Sequence, residues 1–172
     1  MPVLIIGTYD EAGRANAMNA AWGGICEADR VMLCLDEEHK TTKNIKDTGA
    51  FTVSFADATH VLATDYVGLV SGSSTADKMQ RAGFHTSKSE FVNAPVIEEL
   101  PVSLECRLVK VNEDGNIIGE IVNVSADERV LGMDGLIDTV KADTISFDPV
   151  HNTYRKLGET VGNAFRDGAE LG

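Results

Sequence analysis

Apolar, often β-branched residues occur in short runs along the first part of the chain, and polar or glycine-rich stretches separate them. The runs at 3–9, 31–35 and 51–55 predict β-strands. Residues 16–22 are expected to pair back on the first strand, because the acidic, glycine-containing stretch 10–14 predicts a turn. Apolar and polar positions alternate in 51–55, which predicts a strand with one buried face.

A second β-rich region follows the middle of the chain. Residues 102–111 and 117–126 have the composition of strands, and Asn112–Asn116 between them predicts a hairpin turn. Short apolar segments follow at 136–138 and 145–147. The strands therefore come in hairpin order rather than one at a time between helices.

Helices are expected where apolar residues have helical spacing or where a glycine ends a polar run. The predicted segments are a short helix that ends at Gly49 with Thr41 or Thr42 as N-cap, a helix over 58–70, a short helix over 77–83, a turn or short helix over 94–101, and a C-terminal helix over 154–165. Because regular βαβ units are missing, this order favours a mainly β fold, an antiparallel sheet or barrel with peripheral helices.

Composition narrows the class of protein. The 172 residues are 43% hydrophobic and 24% charged, which is typical of a globular protein with a substantial core, and we expect a single domain over 1–172. The net charge of −12 repels phosphate backbones, so nucleic acid is not an expected partner. No apolar run is long enough to span a bilayer, and we expect no membrane partner.

The cysteines and histidines do not suggest a metal site. Cys26, Cys34 and Cys106 have neither C-x-x-C nor zinc spacing, and we expect three reduced core thiols in a cytoplasmic protein. The four histidines are isolated in the sequence and are expected at the surface. His85 lies in the irregular segment 84–95 and is the one expected to come nearest to a pocket.

Motifs of several enzyme classes are absent from the chain. No G-x-G-x-x-G follows a predicted strand, and neither a P-loop nor a G-x-S-x-G nucleophile elbow occurs. Scattered serines and histidines have no spacing that would support a catalytic triad. We therefore assign no catalytic residue to the protein.

Three stretches carry chemistry that a nucleotide-like ligand needs. Asn16–Gly24 combines two asparagines, small alanines and the only tryptophan. It is either a strand entering a glycine turn, with Trp22 as an anchor in the core, or one side of a heterocycle site. Lys40, Thr41, Thr42 and Asn44 form either an ordinary helix start or an anion site. Ser71, Gly72 and Lys78 belong to a flexible surface loop or to a cationic cover. Together these stretches supply the parts of a flavin mononucleotide (FMN) site.

The order of motifs resembles the flavin reductase-like, FMN-binding split-barrel family, and within it the flavoredoxin-type branch. The matching motifs are Pro2–Thr8, Gly13, Asn16–Trp22, Thr41-x-x-Asn44-Ile45, Gly49-x-Phe51-x-Val53-Ser54, Ser71-Gly72 with Lys78, Ala94–Glu98, Leu104-Glu105-Cys106 and Gly119-Glu120. The resemblance implies a six-stranded antiparallel Greek-key split β-barrel. It also implies a homodimer with one FMN per subunit near the subunit interface.

The resemblance also implies a role for each candidate residue. Those expected along the flavin ring are Asn16, Met18, Asn19, Ala20, Ala21 and Trp22. Those expected at the phosphate or ribityl end are Lys40, Thr41, Thr42 and Asn44, with Ser71, Gly72 and Lys78 closing over them. Tyr154 is expected to approach from the C-terminal helix.

The function implied by the resemblance is an oxidoreductase that passes electrons from NAD(P)H or a redox partner through bound FMN. Two alternatives stay open. The first is a non-enzymatic electron-transfer protein on the same fold. The second is a split-barrel module that binds another cofactor, such as haem or a deazaflavin.

Overall fold

The computed structural model describes all residues, 1–172, and most of its strands form one antiparallel sheet. The strands in chain order are β1 Leu4–Tyr9, β2 Ala15–Ala20, β3 Gly23–Glu27, β4 Arg30–Leu33, β5 Ala50–Phe55, β6 Thr86–Lys88, β7 Pro95–Ile97, β8 Val102–Val111, β9 Ile117–Ala126, β10 Ile145–Asp148 and β11 Thr153–Lys156. The large sheet has the order β2-β1-β5-β8-β9-β4-β3, and β6 with β7 and β10 with β11 form two small sheets.

The helices are short and lie outside the large sheet. They are α1 Lys40–Thr48, α2 Val61–Leu69, α3 Lys78–Ala82 and α4 Thr139–Ala142, with 3₁₀ turns at Glu128–Val130 and Asp167–Leu171. None of these helices has the length and apolar character needed to cross a membrane. The prediction of a mainly β split-barrel fold with peripheral helices is confirmed.

The large sheet has seven strands where six were expected. The additional strand, β3, lies at the edge of the sheet and pairs only with β4. It begins with Gly23 and Gly24, and its last three residues are exposed. Because an exposed edge strand needs no apolar alternation, the sequence pattern indicated only a glycine turn at this point.

The sheet curls around a first hydrophobic core. Leu4 of β1 and Leu33 of β4 belong to the same buried cluster although three strands separate β1 from β4 in the sheet. Ile45 of α1 joins this cluster, so α1 packs on the same core. This curling brings the start of α1 beside the edge strand β2.

A second core covers the outer face of the same strands. Ile5 of β1, Val67 of α2 and Ile145 of β10 are buried together there. Strand β5 is consequently buried on both faces, contrary to the prediction of one buried face. Its polar residues find partners inside the protein, for example Thr52, whose hydroxyl donates to the Pro95 carbonyl at 2.6 Å.

Two helical predictions differ from the structure in the middle of the chain. Helix α2 is shorter than predicted, and it buries Thr64 and Val67 while Leu62 and Leu69 are exposed. The segment 94–101, predicted as a turn or short helix, contains strand β7. Pro95 is tolerated in β7 because a short strand that pairs with one neighbour does not need every backbone N–H.

The predicted C-terminal helix over 154–165 is wrong. Tyr154 lies on strand β11 and pairs with Phe147 of β10, and the chain beyond Lys156 has no regular structure until residue 167. Val161 and Phe165, which gave the segment its apolar character, are fully exposed. Without a face to bury, a helix of this length gains too little to form.

Candidate functional site

Two adjoining cavities form one cleft beside the edge strand β2. The first, of about 240 Å³, lies between β2, the start of α1 and the segment that follows α2, and we call it the cationic end. The second, of about 400 Å³, lies between β2, residues 34–36 and the β10–β11 hairpin, and we call it the aromatic end. Met18, Asn19 and His39 line both cavities and mark the middle of the cleft.

The structure brings all but two of the predicted site residues to this cleft. Those at the cationic end are Asn16, Met18, Asn19, Lys40, Thr41, Ser71, Gly72 and Lys78. Those at the aromatic end are Met18, Asn19, Ala20, Ala21, Trp22 and Tyr154. The prediction that Asn16–Trp22 forms one side of a site therefore matches the geometry, while its role toward a ligand stays a prediction.

The two exceptions are Thr42 and Asn44, which lie inside α1 and are buried. The Thr42 hydroxyl donates to the carbonyl of Asp36 at 2.6 Å, and Asn44 Nδ2 donates to Thr8 Oγ1 at 3.0 Å. Both side chains therefore attach α1 to its surroundings and do not face the cleft. The helix also begins earlier than predicted, since its N-cap is His39 and the two threonines that were expected as caps lie inside it.

Lys40 is a cation whose charge is shared with a neighbouring carboxylate. Its Nζ lies 3.1 Å from Asp10 Oδ2 and donates to the Gly72 carbonyl at 3.2 Å. Burial acts to raise the pKa of Asp10, but hydrogen bonds from Arg14, Lys40 and the Ala12 backbone outweigh it and lower the pKa to about 2. Asp10 is therefore a carboxylate that neutralises part of the local positive charge.

Lys78 is a buried cation without a counter-ion. Only 4% of the residue is exposed, and its ammonium group has neither an ion pair nor a hydrogen bond to the protein. Burial, with a smaller contribution from the charge of Lys40, lowers the pKa of Lys78 to about 8. A cation in this state favours an anion in the adjoining cavity.

Asn16 has a polar atom with no partner. Its Nδ2 lies 3.0 Å from Thr41 Oγ1, while its Oδ1 is buried and unbonded. Gly72 lies against this atom so closely that a Cβ at position 72 would come 2.2 Å from Asn16 Oδ1. Gly72 is therefore required for the close approach of the loop to β2, and beneath this loop the Asn16 amide keeps one polar atom without a partner.

The aromatic end is open and partly exposed. Trp22 is 60% exposed, which excludes the alternative in which it anchors the core. Phe147 and Tyr154 lie across from it with ring centroids 6.0 Å apart. These rings, together with the small side chains of Ala20 and Ala21, leave room for a flat apolar group.

Asn19, Tyr154 and Asp65 form a chain of hydrogen bonds at the middle of the cleft. Asn19 Nδ2 donates to the Thr64 carbonyl at 3.0 Å and to the Tyr154 hydroxyl at 3.4 Å. The Tyr154 hydroxyl donates in turn to Asp65 Oδ1 at 2.7 Å. Burial, followed by the bond to Asp65 and its charge, raises the pKa of Tyr154 to about 12.

Several cleft residues were missed by sequence reasoning. His39 lines both cavities. His85, which was expected nearest to a pocket, is instead exposed and outside the cleft, with its Nδ1 2.6 Å from Glu99 Oε1. Others that line the cleft without having been predicted are Cys34, Leu35, Asp36, Val67, Gly68, Leu69, Val70 and Phe147. The sequence did contain one indication that His39 belongs to the site, because it directly precedes Lys40 and Thr41 at the predicted helix start.

The cysteines follow the prediction only in part. Cys106 is buried, and burial raises its pKa to about 12. Cys26 and Cys34 are exposed, so the expectation of three core thiols is wrong for both. No three His, Cys, Asp or Glu side chains converge in a way that would hold a metal ion.

Comparison with known proteins identifies the family. A family model described as flavin reductase like domain matches residues 1–141. The structure superimposes on flavoredoxin of Desulfovibrio vulgaris (Miyazaki F) with a TM-score of 0.94 and 37% identity, over 97% of this chain and 92% of that chain. For flavoredoxin from Methanosarcina acetivorans the TM-score is 0.91 and the identity 31%, over 99% and 92% of the two chains.

One relative found by sequence comparison is less similar to this chain than the two flavoredoxins, and it is a longer protein. A protein of Aeropyrum pernix is 29% identical over 118 residues, which is 67% of this chain but only 44% of that protein's length. The family model and the two flavoredoxins, in contrast, match most of the chain. The chain therefore belongs to the flavin reductase-like domain family, in its flavoredoxin-type branch.

Proposed function

We propose that the protein binds FMN in the cleft and acts as an oxidoreductase of the flavin reductase-like type, passing electrons from NAD(P)H or a redox partner through the bound flavin. The observation that carries the proposal is Lys78, a buried cation with no counter-ion at one end of a cleft whose other end is flat and apolar. One molecule with a phosphate and an aromatic ring system matches both ends.

The charges of the cationic end suit a single phosphate monoester. Lys40 shares its charge with Asp10, while Lys78 has no anionic partner. The first N–H groups of α1, at Lys40 and Thr41, have no intrahelical acceptor and lie beside the same cavity. A phosphate that enters between the two lysines would receive a charge-assisted bond from Lys78 and relieve its repulsion with Lys40.

The rest of the cleft suits a ribityl chain and a ring system. The Asn16 amide has one polar atom without a protein partner near the phosphate position, and in either orientation of the amide this atom suits a ligand hydroxyl. Ala20 and Ala21 leave space along β2, and Trp22 and Tyr154 supply aromatic surface. The cavity volumes of about 240 and about 400 Å³ together fall within the range of small-molecule sites, roughly 300–1,000 Å³.

The protein's own contribution is binding, orientation and electrostatics. FMN, when bound, supplies the chemistry of accepting a hydride or electrons and passing them on. Lys78 and Lys40 hold the phosphate, while the amides of Asn16 and Asn19 orient the rest of the ligand. No acid or base from the protein is required, which agrees with the absence of a catalytic assignment.

The oligomeric state, domain organisation and location belong to the same proposal. We infer a cytoplasmic homodimer with FMN near the subunit interface, as the family resemblance implies. A single domain over 1–172 is supported by the β10–β11 hairpin, because this hairpin follows the matched residues 1–141 yet supplies Phe147 and Tyr154 to the cleft.

A second candidate is an electron-transfer protein without reductase activity. The similarity to two flavoredoxins favours it, and the net charge of −12 suits docking to a basic redox protein. Steady-state oxidation of NADH and NADPH separates the two candidates. Sustained turnover with free flavin supports the reductase, whereas photoreduction of bound FMN without turnover supports the electron carrier.

A titration of the purified protein with FMN tests the proposal. We expect quenching of flavin fluorescence and a shifted visible spectrum at a stoichiometry of one FMN per chain. Riboflavin, which lacks the phosphate, should bind much more weakly because Lys78 then keeps its unpaired charge. Absence of quenching with FMN would overturn the proposal, and a Soret band in purified material would assign the cleft to haem instead.

A further inference from the structure

The hydrogen bonds around Asn19 determine which way its amide faces. The Thr64 carbonyl can only accept, so the group that Asn19 turns toward it must be the NH₂ group. The Asp65 carboxylate also only accepts, so the Tyr154 hydroxyl donates its single hydrogen to it. The Tyr154 oxygen is therefore free to accept the second hydrogen of the Asn19 amide.

Both amide hydrogens of Asn19 are consequently used within the protein. Its Oδ1 has no protein partner, and Asn19 lines both cavities. The side chain therefore keeps an unpaired acceptor, and no unpaired donor, at a residue that lines the middle of the cleft. Asn16 differs in this respect, because the Thr41 hydroxyl can either accept or donate and so permits both orientations of the Asn16 amide.

We propose that Tyr154, held by Asp65, is a positioning residue that fixes Asn19 as the hydrogen-bond acceptor for the N–H that a flavin gains on reduction. The inference rests on the proposed function and deepens it. With its phosphate at Lys78, a bound FMN would extend along the cleft through its ribityl chain and bring its central ring to the middle, where Asn19 lines both cavities. The N5 atom of that central ring acquires a hydrogen when flavin takes up two electrons and protons from solvent.

A fixed acceptor at this position distinguishes the two oxidation states of the ligand. Oxidised flavin has a lone pair at N5, which the Asn19 oxygen would repel, whereas reduced flavin has an N–H at N5 that this oxygen would accept. The protein should therefore bind reduced FMN more tightly than oxidised FMN. Rotation of the Asn19 amide would remove the distinction, and the bonds to Tyr154 and Thr64 oppose that rotation.

The experiment compares dissociation constants for oxidised FMN and for FMN reduced anaerobically with dithionite. In Asn19→Leu, which removes the acceptor, the preference for reduced FMN should fall by about tenfold, the usual value of one hydrogen bond. For a two-electron couple this corresponds to a potential about 30 mV lower. Tyr154→Phe, which frees one amide hydrogen without changing charge, should reduce the preference in the same direction and by less.

Tyr66→Phe is the matched control. Tyr66 lies on α2 next to Asp65, borders the second core and does not line the cleft, so the loss of its hydroxyl should leave the ratio of the two constants unchanged. A readout without flavin is the hydrogen exchange of the Asn19 side-chain amide, which should be faster in Tyr154→Phe than in wild type.

The outcomes separate the two proposals. A wild-type protein that does not bind FMN overturns the proposed function and the role of Asn19 together. A protein that binds FMN, but whose ratio of constants is the same in Asn19→Leu and Tyr154→Phe as in wild type, overturns the further inference alone.

Discussion

The two ends of the cleft differ in whether their polar groups have partners within the protein. At the cationic end, Lys78 is buried without a counter-ion and Asn16 Oδ1 is buried without a donor. At the middle and aromatic end, Asn19, Tyr154 and Asp65 satisfy one another. One region of the site thus leaves a charge without a partner, while the other has its donor hydrogens paired within the protein and leaves only the Asn19 oxygen open.

This difference assigns a separate task to each end. A buried polar group without a partner costs free energy in the ligand-free protein, and a ligand that supplies the partner recovers it as affinity. Groups that are already paired gain little from a new partner, but their orientation is fixed before the ligand arrives. The cationic end should therefore determine how tightly FMN binds, and the paired groups should determine how it is oriented.

Removing the unpaired cation should have the largest effect. In Lys78→Met, the affinity for FMN should fall on the order of 10- to 100-fold, the value of a hydrogen bond to a charged group. The ligand-free protein should become more stable to urea, because a buried charge is replaced by an apolar side chain of similar length. Fluorescence titration measures the first effect and equilibrium unfolding the second.

Lys110→Met serves as the control for this comparison. Lys110 lies exposed on β8, so neither affinity nor stability should change appreciably. If Lys78→Met lowered both affinity and stability, Lys78 would be contributing to the fold and not awaiting an anion.

Gly72→Ala should weaken FMN binding by about tenfold. The added Cβ would lie 2.2 Å from Asn16 Oδ1 and 3.3 Å from Lys40 Cδ, so these side chains must move. Gly72→Ala therefore moves groups at the cationic end without removing any of them. Gly24→Ala is the matched control, since nothing lies within 4 Å of a Cβ at that position. Equal affinities of the two variants would show that the loop is free to move away from β2.

The sheet was largely predictable from sequence because most of its strands carry an apolar signal. β8 and β9 have the predicted bounds, and the turn between them is where polar residues and Gly115 placed it. β3 and the segment after β11 were not predictable in the same way. An exposed edge strand and an exposed tail do not need apolar periodicity, and in the tail Phe165 suggested a buried helix face that the fold does not use.

The site was predictable to the extent that it is local in sequence. Asn16–Trp22 is one strand and its exit, so its residues share a surface whatever packs against them. Thr42 and Asn44 have the residue types of a ligand site, but the turn of α1 directs them into the protein. Phe147 enters the cleft only through its pairing with Tyr154 on the neighbouring strand, and no spacing in the sequence reveals that pairing.

The affinity of the cationic end should decrease with rising pH. The pKa of Lys78 is lowered to about 8, so the ligand-free protein loses this charge above that pH. FMN should therefore bind about fivefold more weakly at pH 9 than at pH 8, with uptake of a proton on binding. Lys78→Met should remove this dependence, and a wild-type affinity that is constant from pH 7 to 9 would contradict it.

The same pKa predicts the sign of a stability change in the ligand-free protein. In the unfolded chain Lys78 has the ordinary pKa of 10.5, so between about pH 8 and that value the unfolded state binds more protons than the folded state. The contribution of Lys78 to stability should consequently rise with pH through this window. Urea unfolding at pH 7.5 and 9.5 tests this. The free energies of unfolding of wild type and Lys78→Met should differ less at pH 9.5 than at pH 7.5.

Trp22→Ala should have the smallest effect on affinity, about threefold, because an indole that stays 60% exposed offers little more than one aromatic contact. Phe91→Ala, at an aromatic residue of similar exposure outside the cleft, should have no effect and is the control. In the double variant with Lys78→Ala the two losses should multiply, since the residues lie at opposite ends of the cleft and share no partner. If the double variant binds FMN no more weakly than Lys78→Ala alone, Trp22 contacts the flavin ring only when Lys78 holds the phosphate. The conclusion that the two ends of the cleft act separately would then be wrong.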